Sequence, residues 1–385
     1  MIIAMDVVTQ VVFGAAAGQA AAGHRLPRSA WLIGAVAGYV PDADVFLQPA
    51  SDPLGGWLWH RWFTHGVGFV PLGALIAAGP FVLAPSLRRH VWWVLLAALA
   101  GIATHAPLDT ATSFGTALLW PFSDARLGWD RVGIIDPLVT FPMMALIAVS
   151  VWRTWRGRAF LAGGEVTEGS VRRSRRWHVG PAAAALAWAV VYIGGAGTWQ
   201  RSRALDAQAA LAASRGHTIT PGRARAMPQP LALLVWRTVY EHQGRVYTDI
   251  VRVPFVGPVR VIPGQGFDLT SAEELISQSG LTGVHAEAVR GFAEFADGYL
   301  APSPEDSRII GDMRYATDLR EFRPLWGLRM PMAPGGAVAM YRPGFGDRNI
   351  DAMWQMLTGN HPDLLPLVRG QINSGNGNGA RVAPR

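Results

Sequence analysis

Between residues 7 and 199 the chain returns six times to an apolar run, at 7–23, 29–46, 67–84, 91–106, 134–152 and 179–199. A helix that crosses a bilayer needs about 20 mostly apolar residues. Backbone surrounded by lipid must satisfy its own hydrogen bonds, which holds such runs to helices. The first run is short for a span and is rich in Gly and Ala. Half of the 385 residues are hydrophobic and only 16% are charged, against about a quarter in an ordinary soluble domain. Trp31, Trp92, Trp93, Trp152 and Trp199 stand at the ends of runs, as in the aromatic belts of membrane proteins. These features predict an all-α polytopic membrane domain of about six transmembrane helices over residues 1–199.

All 34 basic residues are Arg, and the net charge is +7. A basic chain can bind nucleic acid, but here the Arg cluster beside apolar runs, which is a topology signal instead. The connections after runs one, three and five carry eleven Arg, namely Arg25, Arg28, Arg88, Arg89, Arg153, Arg156, Arg158, Arg172, Arg173, Arg175 and Arg176. Those after runs two and four carry Arg61, Arg126 and Arg131. This bias puts the N-terminus and the end of run six on the outer side of the membrane. No cleavable signal is expected: a basic leader is missing and Asp6 precedes the first run.

From residue 200 the composition changes. Residues 200–215 read as a helix. Residues 231–262 read as a hairpin turning at Gln243-Gly244, 284–300 as a helix, and 309–315 and 337–341 as short strands. Residues 200–368 are therefore expected to form a small α+β extracytoplasmic domain, with 369–385 a disordered tail.

The polar residues that break the apolar pattern carry the chemistry. There is no Cys, so a metal site must use N and O ligands. His105 and Asp109 are four apart and share a helix face; a helix-end His beside a capping Asp is the alternative. His60 and His65 flank Arg61-Trp62-Phe63-Thr64 and fit a turn that converges both rings, or an interfacial role. Asp42 and Asp44 follow Pro41, where a carboxylate near hydrocarbon is costly without a compensating charge; turn chemistry is the plainer reading. On the topology above, all three pieces fall on the outer side. Asp130 and Asp136 could orient a His ring, but Asp136 before Pro137 fits an N-cap better. Nucleophile-elbow, phosphate-loop and dinucleotide fingerprints are missing.

Together Asp6-x-x-Thr9, Pro41-Asp-x-Asp44, His60-Arg-x-x-Thr-His65, His105-x-x-x-Asp109-x-x-Thr112-Ser113-x-Gly115-Thr116, Leu119-Trp-Pro-Phe-Ser123 and Ile135-Asp136-Pro137 resemble the YdjM-like family of bacterial inner-membrane metal-dependent hydrolases. The resemblance covers residues 5 to about 150. It implies Asp42, Asp44, His60, His65, His105 and Asp109 as ligands of a divalent metal, zinc by preference. The family is similar to zinc-dependent phospholipases C and single-strand nucleases, which implies phosphoester hydrolysis with membrane lipid as partner or substrate and no nucleic-acid partner. Arg61 and Asp44 are the catalytic candidates, Arg61 as a bidentate phosphate clamp or, alternatively, an interface anchor. The family motif usually continues to a His where this chain has Gln10. Gln is a poor zinc ligand, so that position supports a ligand from behind, or a metal or the activity has been lost. A transporter and a non-catalytic envelope scaffold are the competing readings.

Overall fold

The computed structural model describes residues 2–47, 52–54, 56–161, 168–231, 233–316, 322–343 and 350–367. The helical part comprises α1 (Ile2–Ala22), α2 (Ala30–Tyr39), α3 (Val70–Val82), α4 (Pro85–Arg88), α5 (Val91–Ile102), α6 (His105–Ala111), α7 (Pro137–Leu161) and α8 (Glu168–Ala189). A π-helical stretch, Val190–Gly197, joins α8 to α9 (Thr198–Ser214) without a break.

The six apolar runs do not all become long helices. Among the described residues three stretches are long and apolar enough to cross a bilayer: Val91–Ala111, Pro137–Arg156 and Val179–Ser214. Val7–Ala22 and Val67–Val82 are apolar but shorter. The run at 29–46 divides because Pro41 has no N–H to continue the α-helical ladder. The chain tightens there into a 3-10 turn, Val40–Phe46, which buries Asp42 and Asp44.

Small residues set the spacing of the bundle. Gly14 and Gly18 on α1 meet Gly34 and Gly38 on α2; spacing by four puts each pair on one helix face. A Cβ added to Gly34 would lie 2.2 Å from the Gly14 carbonyl oxygen, and one on Gly18 would lie 2.5 Å from that of Ala30. On α5, a Cβ at Gly101 would lie 2.5 Å from the Gly34 oxygen. The three helices therefore touch backbone to backbone, the contact that small residues permit where lipid gives helices no hydrophobic drive to associate.

The C-terminal part contains β1 (Ala224–Pro228), β2 (Val235–His242), β3 (Arg245–Arg252), β4 (Arg260–Ile262), β5 (Gly266–Asp268), α10 (Ala272–Gln278), α11 (Gly283–Phe295), β6 (Leu300–Pro302), β7 (Ile309–Asp312), β8 (Gly327–Arg329), β9 (Ala339–Tyr341), α12 (Ile350–Thr358) and β10 (Leu365–Pro366). One antiparallel sheet has the order β1-β2-β3-β4-β10, with β5 also on β3; the other has the order β6-β7-β8-β9. The expected hairpin forms between β2 and β3. Gln243 and Gly244 both adopt positive φ, 50° and 73°, as a tight primed turn requires. The helix read over 200–215 is the second half of the rod, and Gln200 and Gln208 pin it to the first sheet by donating to the carbonyls of Val253 and Val239, at 2.7 and 2.8 Å. Residues 369–385 lie outside the described residues.

The loop before α3 is gripped by the C-terminal part. Leu54 and Leu58 pack into the core that contains Val289, Phe292, Leu300 and Leu328. Trp57 lies against Phe114, Phe295 and Trp326 at centroid distances of 5.1–5.9 Å.

The glycine contact can be tested directly. Gly34→Ala should destabilise the purified protein by about 1–3 kcal/mol, because the new methyl meets backbone. Gly195→Ala, with nothing within 4 Å, should be neutral or mildly stabilising. Thermal unfolding in detergent would show the two variants shifted in opposite senses or by clearly different amounts.

Candidate metal centre

The turn after α2 supplies Asp42 and Asp44, the gripped loop supplies His60 and Arg61, and a short 3-10 turn, Phe63–His65, supplies His65. His105 opens α6 and Asp109 follows one turn later. Asp42, Asp44, His65, His105 and Asp109 are buried, and only His60 is partly exposed.

These six residues form two groups. In the first, Asp42, His65, His105 and Asp109 each offer an atom within 4.8 Å of all the others. His65 Nε2 is 3.2 Å from Asp109 Oδ2 and 3.5 Å from Asp42 Oδ1. His105 Nε2 is 3.5 Å from the same two oxygens. Yet His65 Nε2, His105 Nε2 and Asp109 Oδ2 are buried without a hydrogen-bond partner.

The surrounding contacts fix which atom of each side chain faces the cluster. His105 Nδ1 lies 2.6 Å from the Gly38 carbonyl oxygen. A carbonyl only accepts, so this nitrogen carries a proton and Nε2 is the atom turned toward the cluster. Thr64 Oγ1 donates to Asp44 Oδ2 at 3.0 Å and lies 3.0 Å from His65 Nδ1. The hydroxyl therefore accepts from His65 Nδ1–H, and Nε2 of that ring faces inward. Asp109 Oδ1 is taken by Gln10 Nε2 at 2.7 Å and by Arg61 Nη2 at 3.2 Å. Its other oxygen turns to the cluster. Two imidazole Nε2 atoms and two carboxylate oxygens thus face one another in a buried space, where the carboxylate charge is costly unless a cation compensates it. The donor set fits a divalent metal. Imidazole with carboxylate suits zinc and its first-row neighbours and does not select among them.

The second group is Asp44, His60 and His65. Asp44 Oδ1 is 3.0 Å from His60 Nδ1, and Oδ2 also accepts from the Arg61 backbone N–H at 3.2 Å. Both Asp44 oxygens therefore have donors, and through Thr64 the carboxylate orients the His65 ring.

Arg61 is 2% exposed, which does not suit an interface anchor. Its guanidinium donates to Thr112 Oγ1 at 2.9 Å, pairs with Asp109 and lies over the Phe114 ring. Asp130 and Asp136 are away from both groups. Asp136 caps α7, accepting from the Leu138 N–H at 3.0 Å and from the Tyr192 hydroxyl. Asp130 pairs with Arg225 at 2.6 Å. Sequence reasoning singled out Gln10 but did not place it; it missed the Gly38 carbonyl, Thr64 and Arg126, whose guanidinium donates to the carbonyls of Leu58 and His60. A main-chain acceptor has no signature in side-chain pattern, and Arg126 reads only as a loop charge.

The model of the YdjM inner membrane protein family matches residues 5–202, which hold every residue of both groups. The chain belongs to that family. Comparison with curated proteins and with solved structures finds no match. For this YdjM-family protein, Gln10 stands beside the cluster, where it holds Asp109 in place.

Metal content checks this geometry. His105→Ala should abolish binding of one divalent ion, whereas Gln10→Ala should keep the stoichiometry and weaken affinity roughly 10–100-fold, the usual effect of losing a group that orients a ligand. Elemental analysis and chelator competition would report both, and full metal retention in His105→Ala would remove the site.

Proposed function

We propose that this YdjM-family protein is a membrane-embedded metal-dependent hydrolase acting on a phosphoester, lipid-borne or soluble, at the outer face of the inner membrane. The observation that carries it is the set of buried, convergent ligand atoms on Asp42, His65, His105 and Asp109, three of them without a hydrogen-bond partner. A divalent ion held there supplies charge neutralisation for a phosphoryl group and activates water at neutral pH. The remaining work falls to the chain. Asp44 steadies His60 and His65. His60, the one partly exposed member, is placed to move a proton at Nδ1 or Nε2 near the mouth of the site. Arg61 and Gln10 keep one Asp109 oxygen occupied so that the other faces the centre, and Arg61 adds positive charge beside it.

The proposed topology has six crossings, with the N-terminus and the 200–368 domain outside. The contacts support it. Arg25 lies over Trp93 and Arg28 over Trp155. These gather the α1–α2 connection, the start of α5 and the end of α7 at the end of the bundle opposite the His and Asp residues. On this topology the ligand-bearing turns at the ends of short α2 and α3 would lie near the outer boundary between lipid and water. Asp42 and Asp44 cluster with the other candidates at one end, which favours hydrolysis over transport through the depth of the bundle.

Purified protein loaded with zinc or manganese should hydrolyse bis-p-nitrophenyl phosphate or a phospholipid in mixed micelles. Asp42→Asn and His105→Ala should each reduce the rate by roughly a hundred-fold or more, and chelation followed by metal return should abolish and restore it. Metal-loaded protein inert toward phosphodiesters and phosphomonoesters alike would refute the hydrolase reading.

A further inference from the structure

A cleft of about 450 Å³ lies between the loop that follows α6 and the C-terminal part. Phe114, Phe295 and Tyr299 give it an aromatic surface, and Arg126, Arg201, Arg223, Arg225 and Arg314 line it together with Asp130 and Asp297. Three of the five guanidinium groups have close carboxylate partners. Arg225 pairs with Asp130 at 2.6 Å and Asp297 at 2.5 Å. Arg314 pairs with Asp312 at 2.8 Å, and Arg223 with Glu241 at 2.9 Å.

The other two do not. Arg126 is half-buried and donates only to the carbonyl oxygens of Leu58, His60 and Gly115. Among the described residues no carboxylate lies within 4 Å of it. Arg201 has its Nε buried without a partner. Its one carboxylate, Asp130 at 3.7 Å, is already engaged by Arg225. Five guanidinium groups thus share four carboxylates, of which only Asp130 and Asp297 line the cleft.

We propose that this cleft is an anion-binding site for a phosphate-type group, distinct from the metal centre. Planar guanidinium forks arriving from several directions match a tetrahedral anion with several oxygens better than a single carboxylate. The aromatic surface excludes water, which strengthens the attraction. The group could come from a lipid headgroup or from free phosphate, and the chemistry on the protein side is the same. The proposal stands apart from hydrolysis: the cleft can hold an anion whether or not the centre turns it over.

The test uses the full chain in non-ionic detergent with EDTA present, so that no anion is held through a metal. Calorimetric titration with inorganic phosphate and, separately, with dihexanoyl phosphatidic acid should show saturable, salt-sensitive binding of at least one. Arg201→Gln should weaken that binding ten-fold or more, and Arg201→Glu should remove it. Arg201 is partly exposed, and near-wild-type unfolding temperatures would show that both variants fold. Binding of both probes assigns free phosphate chemistry as sufficient, and binding of the phosphatidate alone assigns the lipid headgroup. No binding of either probe, or binding indifferent to both Arg201 variants, overturns the proposal. Binding seen only without EDTA and lost in His105→Ala would also overturn it, since the anion would then sit on the metal and the hydrolase reading would stand alone.

Discussion

The approach of α1 to α2 along Gly14, Gly18, Gly34 and Gly38 sets the geometry from which the metal centre follows. Removing side chains from both faces brings the α2 backbone close enough for the Gly38 carbonyl to reach His105 Nδ1, and brings Gln10 of α1 to Asp109. Gly101 draws α5 into the same contact, and α6 begins directly after α5 with the ligand pair on its inner face. A wider helix spacing would move the acceptor that fixes the His105 tautomer and the donor that fixes the Asp109 rotamer. The same glycines therefore set both the helix packing and the orientation of the ligand side chains.

The centre shows the economy that burial imposes on polar groups. Each His has one ring nitrogen tied to an acceptor, and Asp109 has one oxygen tied to donors, so only the inward atoms remain unmatched. His65 joins the two groups. Its Nε2 faces Asp42 and Asp109, and its Nδ1 is linked through Thr64 to Asp44 and so to the more exposed His60. His60 and a ring that faces the centre are thus linked through one carboxylate and one hydroxyl.

Local chemistry was legible in the sequence; long-range partners were not. The three His and Asp pieces stood out because polar residues at the edges of apolar runs need a reason, and the structure brings them together. The Asp136 cap before Pro137 and the Gln243-Gly244 turn follow from short-range rules. The run at 29–46 ends in a 3-10 turn because Pro41 breaks the last turn of α2. The Asp130–Arg225 pair spans 95 residues, and the cleft joins loop 114–130 to strands and helices more than seventy residues further on. In the sequence Arg126 reads as a topology charge, and its contacts to Leu58 and His60 lie 68 and 66 residues away. Nothing local distinguishes an Arg at a membrane surface from one that holds a loop.

The C-terminal part does structural work for the centre that sequence gave no reason to expect. Arg61 adopts a left-handed backbone, φ 62°, which for a non-Gly residue costs roughly 1–3 kcal/mol. Its backbone N–H reaches Asp44, and its side chain reaches Asp109 and Thr112 only in that conformation of the loop. The loop is held by Leu54, Trp57 and Leu58 in the C-terminal core and by Arg126 on the carbonyls that flank Trp59. A bundle without this grip would keep His105 and Asp109 on their helix but lose the restraint on His60, Arg61 and His65. The centre is therefore shared between two parts of the chain. The segment beyond residue 202, outside the family match, helps decide whether the segment inside it can hold a cation.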